Sequence, residues 1–328
     1  MNALRQAEFS DLILAGDETW FLKGVPGSGP ALVAAPPELR GALRKLLERV
    51  RGRYAQINSA HSIRLVFEEV AFRAAVYTDV ALGDVYFMRR LPETVPSLQA
   101  LKLPEPVTEW LLRRENSRGL LLFSGAQASG KTTSAGALIA ARLEKFGGHA
   151  ITYEHPVEMP LSGRHGESGF CFQTEIVSED ELASRIERSH RYASPNIVFV
   201  GEIRSRHAAS EVLRVALGSN QQLVVATIHG LNACAALDRL LTWAREIDGD
   251  IARHNLGQSL IGIVHQELSF EKESEDRRAR LTVKEFLLLS FDPQSEAVRA
   301  KLREGNLHLT EHILEQRNRV FYEQGVRL

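Results

Sequence analysis

"LLLFSGAQASGKTTSAGALIAARL", residues 120–143, joins an apolar run to a helix-forming run through a loop of small residues. Its centre, "GAQASGKT" (125–132), fits the pattern G-x-x-x-x-G-K-[ST] without a mismatch. Gly125 and Gly130 allow backbone angles that a side chain would forbid. The N–H groups of Gly125, Ala126, Gln127, Ala128, Ser129 and Gly130 can then turn towards an anion, and the helix that follows adds its positive end. Lys131 is placed to reach the β- and γ-phosphates of ATP, and the Thr132 hydroxyl to ligate Mg²⁺, with Thr133 completing the cradle. The bland alternative is a glycine turn that caps a helix. With glycine near 7% of residues, the four fixed positions coincide by chance in roughly one chain per hundred of this length.

The surrounding pattern supplies the context such a loop needs. Apolar runs "GLLLFS" (119–124), "HAITYE" (149–154), "NIVFVG" (196–201) and "QLVVATI" (222–228) alternate with helix-like stretches at 131–146 and 205–217. Apolar strands separated by helices predict a doubly wound α/β domain with a mostly parallel sheet. Residues 1–91 read as a separate mixed α/β domain. It has an amphipathic helix over 38–51 and two strands, "EVAFRAAVYTD" and "DVYFMRRLP", joined at "VALG". Between the domains, 92–106 carries prolines 92, 96, 104 and 106, which predict a linker without regular structure. The tail over 293–318 reads as helical, in a third segment that belongs to the 107–328 domain.

Bulk properties narrow the class. The chain has 328 residues, 40 Lys+Arg against 41 Asp+Glu, and a formal charge of −1. Such a balance argues against direct nucleic-acid binding, which favours a basic excess or stripe. Cys171 and Cys234 have no C-x-x-C neighbour, so neither a disulfide scaffold nor a four-cysteine zinc site is expected, and a reducing, cytoplasmic setting is. No apolar run approaches the ~20 residues of a membrane span; any membrane association would run through partners.

A phosphate loop needs a second group to hold the metal or orient water. Glu202 directly follows the strand "NIVFVG", and Glu154 ends the strand "HAITYE", with Glu158 four residues on. The carboxyl ends of strands in open α/β sheets face the ligand crevice, which predicts both Glu154 and Glu202 near the γ-phosphate. His229 ends "VVATIH" and is a candidate γ-phosphate sensor. Taken singly, a strand-end carboxylate is as often structural as functional, and a lone histidine is more often structural.

In order and spacing, "GAQASGKTT", "ITYEHPVE", "NIVFVGEIRS", "VVATIHG" and "IGIVHQEL" resemble the motor ATPases of type IV pili and of type II and type IV secretion. "FSDLIL" (9–14) resembles the opening of that family's first domain, and "FRAAVYTDVALGDVYFMRRLPE" (72–93) its two-arginine hairpin. "EAVRAKLREGN" (296–306) resembles a helix of the pilus-retraction, PilT-like branch. The resemblance implies a RecA-like P-loop domain preceded by a smaller PAS-like α+β domain. It also implies ATP and Mg²⁺ as ligands, with Mg²⁺ held by Thr132 and Glu202, and a homo-oligomeric, hexameric ring working on an inner-membrane platform. Arg73 and Arg89 would be arginine fingers. The catalytic set would then be Glu154, Glu202, Lys131, Arg73, Arg89 and His229, with Glu154 orienting water or taking its proton. On the same resemblance, Arg299 and Leu302 of the tail helix would serve the partner machine rather than the fold.

The chain departs from the family pattern at several places. His155 stands where the family has an acid, Ser205 replaces another, and "NQQLV" (220–224) lacks the first histidine of the family's "TGHLV". These keep open an ATPase of plasmid conjugation, a thin pilus or a type IVB secretion system. In another class they keep open a nucleotide-dependent scaffold with little turnover. A nucleic-acid translocase and a phosphotransfer enzyme are weaker alternatives: the first lacks a basic aromatic stripe, the second any acceptor motif.

Overall fold

A computed structural model describes residues 3–56, 62–176, 179–218, 222–270, 279–289 and 293–323. The chain divides into two compact units. The first takes residues up to Thr94 and also His155–Pro160; the second takes the greater part of the remainder.

The first unit opens with α1 (Ala3–Gln6), β1 (Asp11–Ala15), β2 (Thr19–Lys23) and β3 (Val33–Ala34). It continues with α2 (Pro37–Gln56), β4 (Ser62–Phe67), β5 (Val70–Asp79) and β6 (Gly83–Arg90). The strands form an antiparallel sheet in the order β3-β2-β1-β6-β5-β4. Leu39, Leu43, Leu46, Leu47 and Val50 fall on one stripe of α2 and are buried with Leu12, Leu14, Trp20, Phe72, Tyr86 and Met88. The helix expected over 38–51 is therefore present and somewhat longer, and the hairpin expected at "VALG" joins β5 to β6.

The prolines read as a linker do not exclude structure. A 3₁₀ turn covers Gln99–Leu101, and α3 (Glu105–Leu111) begins inside the segment. Pro104 is its N-cap and Pro106 lies in its first turn. A missing N–H does no harm there, because the first helical N–H groups have no intrahelical acceptor.

The second unit continues with β7 (Gly119–Gly125), α4 (Lys131–Phe146), β8 (Gly148–Glu154), β9 (Gly163–His165) and β10 (Gly169–Glu175). Next come α5 (Glu179–Tyr192), β11 (Ile197–Val200), α6 (Arg206–Gly218), β12 (Leu223–His229), α7 (Ala233–Asp248) and α8 (Ile251–Ser259). The unit closes with β13 (Leu260–Phe270), β14 (Ala279–Leu288), α9 (Pro293–Arg303) and α10 (Thr310–Glu323). Its eight-stranded sheet has the order β14-β13-β7-β12-β11-β8-β10-β9. The six inner strands pair in parallel, and only the edge strands β14 and β9 run antiparallel. Every residue of β7 is buried. Leu120 and Leu122 join a core with α6, α7 and α8, while α4 packs on the strands separately from that core. Helices thus cover both faces, as the unbroken apolar strands require. Among the described residues no helix is long and apolar enough to cross a membrane.

The tail is two helices, not one. Gly305, at φ +77°, ends α9: Asn306 N–H donates to Lys301 O at 2.9 Å and Gly305 N–H to Leu302 O at 3.0 Å. This is the Schellman arrangement, which a glycine in the left-handed region makes cheap. It also corrects the expectation for α9. Leu302 is fully buried and Arg299 is 7% exposed. Arg299 Nη1 donates to Gly257 O at 3.1 Å and Leu260 O at 2.9 Å, capping the last carbonyls of α8. Both side chains hold the fold together, so neither is available as a partner-facing group. Leu302→Ala is expected to lower unfolding free energy by about 2–5 kcal/mol, and Arg299→Met to lower it too by leaving carbonyls without a donor; urea unfolding followed by circular dichroism checks both, and wild-type midpoints would contradict the burial argument.

Candidate nucleotide site

The site grows from the end of β7. Gly125 has φ +153°, Ala128 +58° and Gly130 +83°, all in the half of conformational space where side chains are strained. At Gly125 the space is also missing. A Cβ there would stand 2.3 Å from the Gln266 carbonyl oxygen and 2.5 Å from Ser129 Oγ. The loop over Ala126, Gln127 and Ala128 is exposed, Ser129 is buried, and Thr132 and Thr133 lie half-buried in the first turn of α4.

Lys131 is 7% exposed and is held inside this loop. Its Nζ donates to Ala126 O at 2.6 Å and Gly125 O at 3.2 Å, and lies 3.3 Å from His229 Nδ1. His229 Nε2 is 2.7 Å from Glu202 Oε1. Glu202 Oε2 accepts from Arg204 Nε at 2.7 Å and from Arg204 Nη2. Lys131, His229, Glu202 and Arg204 therefore form one continuous polar chain. His229 Nδ1 also lies 3.2 Å from Gly125 O. A neutral ring that donates from Nε2 to Glu202 accepts from Lys131 at Nδ1; a doubly protonated ring donates to Gly125 O instead.

Glu154 ends β8 beside this chain. A Cβ on Gly201 would lie 3.2 Å from Glu154 Cγ, so the two glutamate-bearing strand ends are in contact. Glu154 is 2% exposed, and its Oε1 accepts from Thr152 Oγ1 at 2.6 Å and Gln173 Nε2 at 2.8 Å. Those two donors fix the carboxylate in one orientation. Nearby Cys171 is buried, its thiol pushed up to about 12 by burial and then by the Glu154 charge, which leaves it a protonated packing group.

The other expected residues lie in the first unit. Arg73 and Arg89 are cross-strand partners on β5 and β6. Arg73 Nη1 donates to Glu158 Oε1 at 2.8 Å, and Arg89 Nε to Asp11 Oδ1 at 2.8 Å. Glu158 is thus an ion-pair partner within that unit. Ser205 has a local duty: its Oγ accepts from Ala208 N–H at 3.2 Å at the start of α6. The first family histidine is replaced by Gln222, which is buried and donates from Nε2 to Pro195 O at 3.0 Å.

Several residues that shape the site lie inside the quoted motifs but are not singled out by them. Arg204 is one. Two others are on β13, where His265 stands opposite Ser124 and its Nδ1 lies 3.1 Å from Ser124 Oγ. Gln266 Nε2 donates to Ser129 O at 2.7 Å. Nothing in "IGIVHQEL" tells which polar residue of an apolar strand turns towards a loop more than a hundred residues earlier.

A phosphate loop between the first strand and first helix of a parallel sheet, with acidic groups on neighbouring strand ends, defines a P-loop domain of the RecA-like type. The chain belongs to the type II/IV secretion system protein family, which it matches over residues 45–326. It is 32% identical over 212 residues to the type IV pilus ATPase PilU of Pseudomonas aeruginosa, an alignment that covers 64% of this chain and 52% of PilU. It is 30% identical over 232 residues to YggR of Escherichia coli, covering 70% of this chain and 65% of YggR. The match therefore spans about half to two-thirds of the length of these curated relatives. In fold it is similar to the ATPase DotB of Legionella pneumophila (TM-score 0.73, 19% identity, 98% of this chain and 89% of that one). It is similar in the same way to the pilus retraction motor PilT with bound ADP (TM-score 0.72, 24% identity, 98% and 90%).

His265 offers a pH test of the packing behind the loop. Burial holds its pKa below the usual histidine value; Lys131 acts in the same direction, and Glu285 and Glu267 oppose it. The native ring is then neutral while the unfolded one charges below about pH 6.5. The unfolded state binds more protons, so this contribution is complete above that pH and is lost as the pH falls towards the native pKa. Stability should drop between pH 7 and pH 5 with a limiting slope of about 1.4 kcal/mol per pH unit for this one proton. His265→Gln should flatten the slope by up to that amount in urea melts across the range; an unchanged slope would show that His265 does not carry it.

Proposed function

We propose that this chain is an ATP-hydrolysing motor of a type IV pilus or related secretion machine. The observation that carries the proposal is the polar chain from Lys131 through His229 to Glu202, set beside a buried and oriented Glu154. An ammonium, an imidazole and two carboxylates along one edge of the sheet support this reading.

In this proposal the terminal phosphate competes for Lys131 Nζ with the carbonyls of Gly125 and Ala126. Drawing the ammonium onto phosphate releases His229 Nδ1, and the ring passes the change to Glu202. Glu154 orients the attacking water or accepts its proton; its Thr152 and Gln173 contacts hold it ready without occupying both oxygens through those two bonds. Thr132 and Glu202 offer the hard oxygen donors that Mg²⁺ takes. When bound, Mg²⁺ would neutralise charge on the phosphate oxygens. Arg73 and Arg89 are assigned as arginine fingers, each of which must first leave its carboxylate partner.

The proposal extends to a hexameric ring, with residues 1–91 as a PAS-like domain, 92–106 as linker and 107–328 as the ATPase domain. It also extends to an inner-membrane platform protein as the object of work, to a cytoplasmic site of action and to no direct contact with nucleic acid. Work on a type IV pilus is favoured by the likeness to the type IV pilus ATPase PilU, with an ATPase of conjugation or type IVB secretion as the alternative. One observation favours a scaffold with little turnover: both oxygens of Glu202 are engaged, by His229 and Arg204.

Phosphate release by the purified protein decides between motor and scaffold. Glu154→Gln should lower turnover by about 10²–10⁴, the usual worth of a general base, and Lys131→Ala should abolish nucleotide binding; wild-type turnover no higher than in these variants would establish the scaffold. Arg73→Ala should keep nucleotide affinity within a few-fold and lower turnover by up to about 10³–10⁵, and undiminished turnover would remove the finger assignment.

A further inference from the structure

The phosphate loop is fastened from behind by Gln266 of β13. That strand runs parallel to β7, and its pairing with β14 slips between His265 and Gln266. Such irregularities bend a strand and re-aim a side chain, often next to a functional site. Gln266 is fully buried and touches the loop at both ends. Its carbonyl oxygen occupies the space where a Cβ on Gly125 would stand, 2.3 Å away. Its Nε2 donates to Ser129 O at 2.7 Å and lies 3.2 Å from where a Cβ on Gly130 would stand.

The bond to Ser129 O has a consequence at the next atom pair. The peptide joining Ser129 to Gly130 is planar, and in the trans form its C=O and N–H point in opposite directions. Holding the Ser129 carbonyl towards β13 therefore aims the Gly130 N–H the other way, into the loop. Gly130 sits at φ +83°, and a glycine offers little resistance to a peptide flip. A flip would replace an N–H facing the anion with a carbonyl oxygen. The remaining polar atom of the side chain shows that packing alone does not account for a glutamine here. Gln266 Oε1 is buried with no hydrogen-bond partner among the described residues. An apolar side chain of the same size would avoid that unpaired acceptor, so the advantage of glutamine lies in its Nε2 donor.

We propose that Gln266 is a positioning residue of the phosphate loop, which locks the Ser129–Gly130 peptide in the anion-binding orientation and so sets affinity for the nucleotide's phosphates. It touches the loop and not the reacting atoms, and it rests on the nucleotide-site reading given above.

The test measures the full chain with AMPPNP, ADP and MgATP. Gln266→Met keeps the length of the side chain and removes the donor. It should weaken AMPPNP and ADP binding by roughly 3–10-fold, the worth of one hydrogen bond, and raise KM for ATP by a similar factor while kcat stays within about twofold. The melting temperature without nucleotide should stay at the wild-type value, while the upward shift on adding AMPPNP shrinks. Gln266→Glu, which sets a carboxylate against the Ser129 carbonyl, should weaken binding by more than about tenfold. Wild-type Kd and KM in Gln266→Met, with binding lost in Lys131→Ala, would overturn the inference and leave the site standing. A fall in nucleotide-free melting temperature without a change in affinity would reduce Gln266 to packing, and overturn it equally. Failure of the wild-type protein to bind AMPPNP would remove the site and the inference together.

Discussion

The parallel register of β13, β7, β12, β11 and β8 is the constraint on which the rest depends. Parallel strands place all their carboxyl ends on one edge. Gly125 pairs with His229 across β7 and β12, and Tyr153 with Val200 across β8 and β11. The sheet order therefore becomes a chemical order: Gln266, the phosphate loop, His229, Glu202 and Glu154 stand side by side. These residues are spread over more than a hundred positions of sequence. A register slip of one residue would turn each side chain to the opposite face. The apolar, fully buried β7 prevents it, because both of its faces are committed to packing.

Within that row, the charge on Lys131 explains why the polar chain exists. An ammonium that is 7% exposed needs acceptors, since burying an unpaired charge is far costlier than any single contact is worth. The loop supplies two carbonyls and His229 supplies a ring nitrogen. His229 has two hydrogen-bonding sites and faces Lys131 with one and Glu202 with the other, so what happens to Lys131 is felt at Glu202. Arg204 completes the series at a side chain that is 45% exposed, close to the start of α6. The series thus joins the lysine of the loop to a side chain near the start of α6.

How much of this could be read from sequence differs from residue to residue, for physical reasons. The loop was legible because its four fixed positions encode backbone angles, a charge and a hydroxyl, all local properties. The inner strands β7, β8, β11 and β12 were legible from their apolar runs, while β13 was not read as a strand. Glu202 and His229 were legible as strand-end residues, yet their contact with each other was not, since it depends on β11 and β12 being neighbours. β9, β10 and β14 passed unnoticed, as edge or flanking strands with mixed composition; Phe170 and Phe172 are exposed on β10 while Cys171 between them is buried. The role of α9 was misjudged because a resemblance to a family helix does not tell which of its side chains are buried here. Arg299 looks like a surface cation until α8 is seen to end against it.

The departures from the family pattern can be weighed in the same terms. Ser205 stands where an acid is expected, and it retains the one thing the start of α6 demands, an oxygen that accepts from Ala208 N–H. His155 replaces an acid one residue beyond Glu154, whereas Glu154 itself keeps its Thr152 and Gln173 donors from β8 and β10. Both changes fall beside the row of strand ends rather than in it. Lys131, Glu154, Glu202 and His229 are each held by partners on the central strands. The centre of the site is thus built on those strands, and the positions that depart from the family pattern lie at its margin.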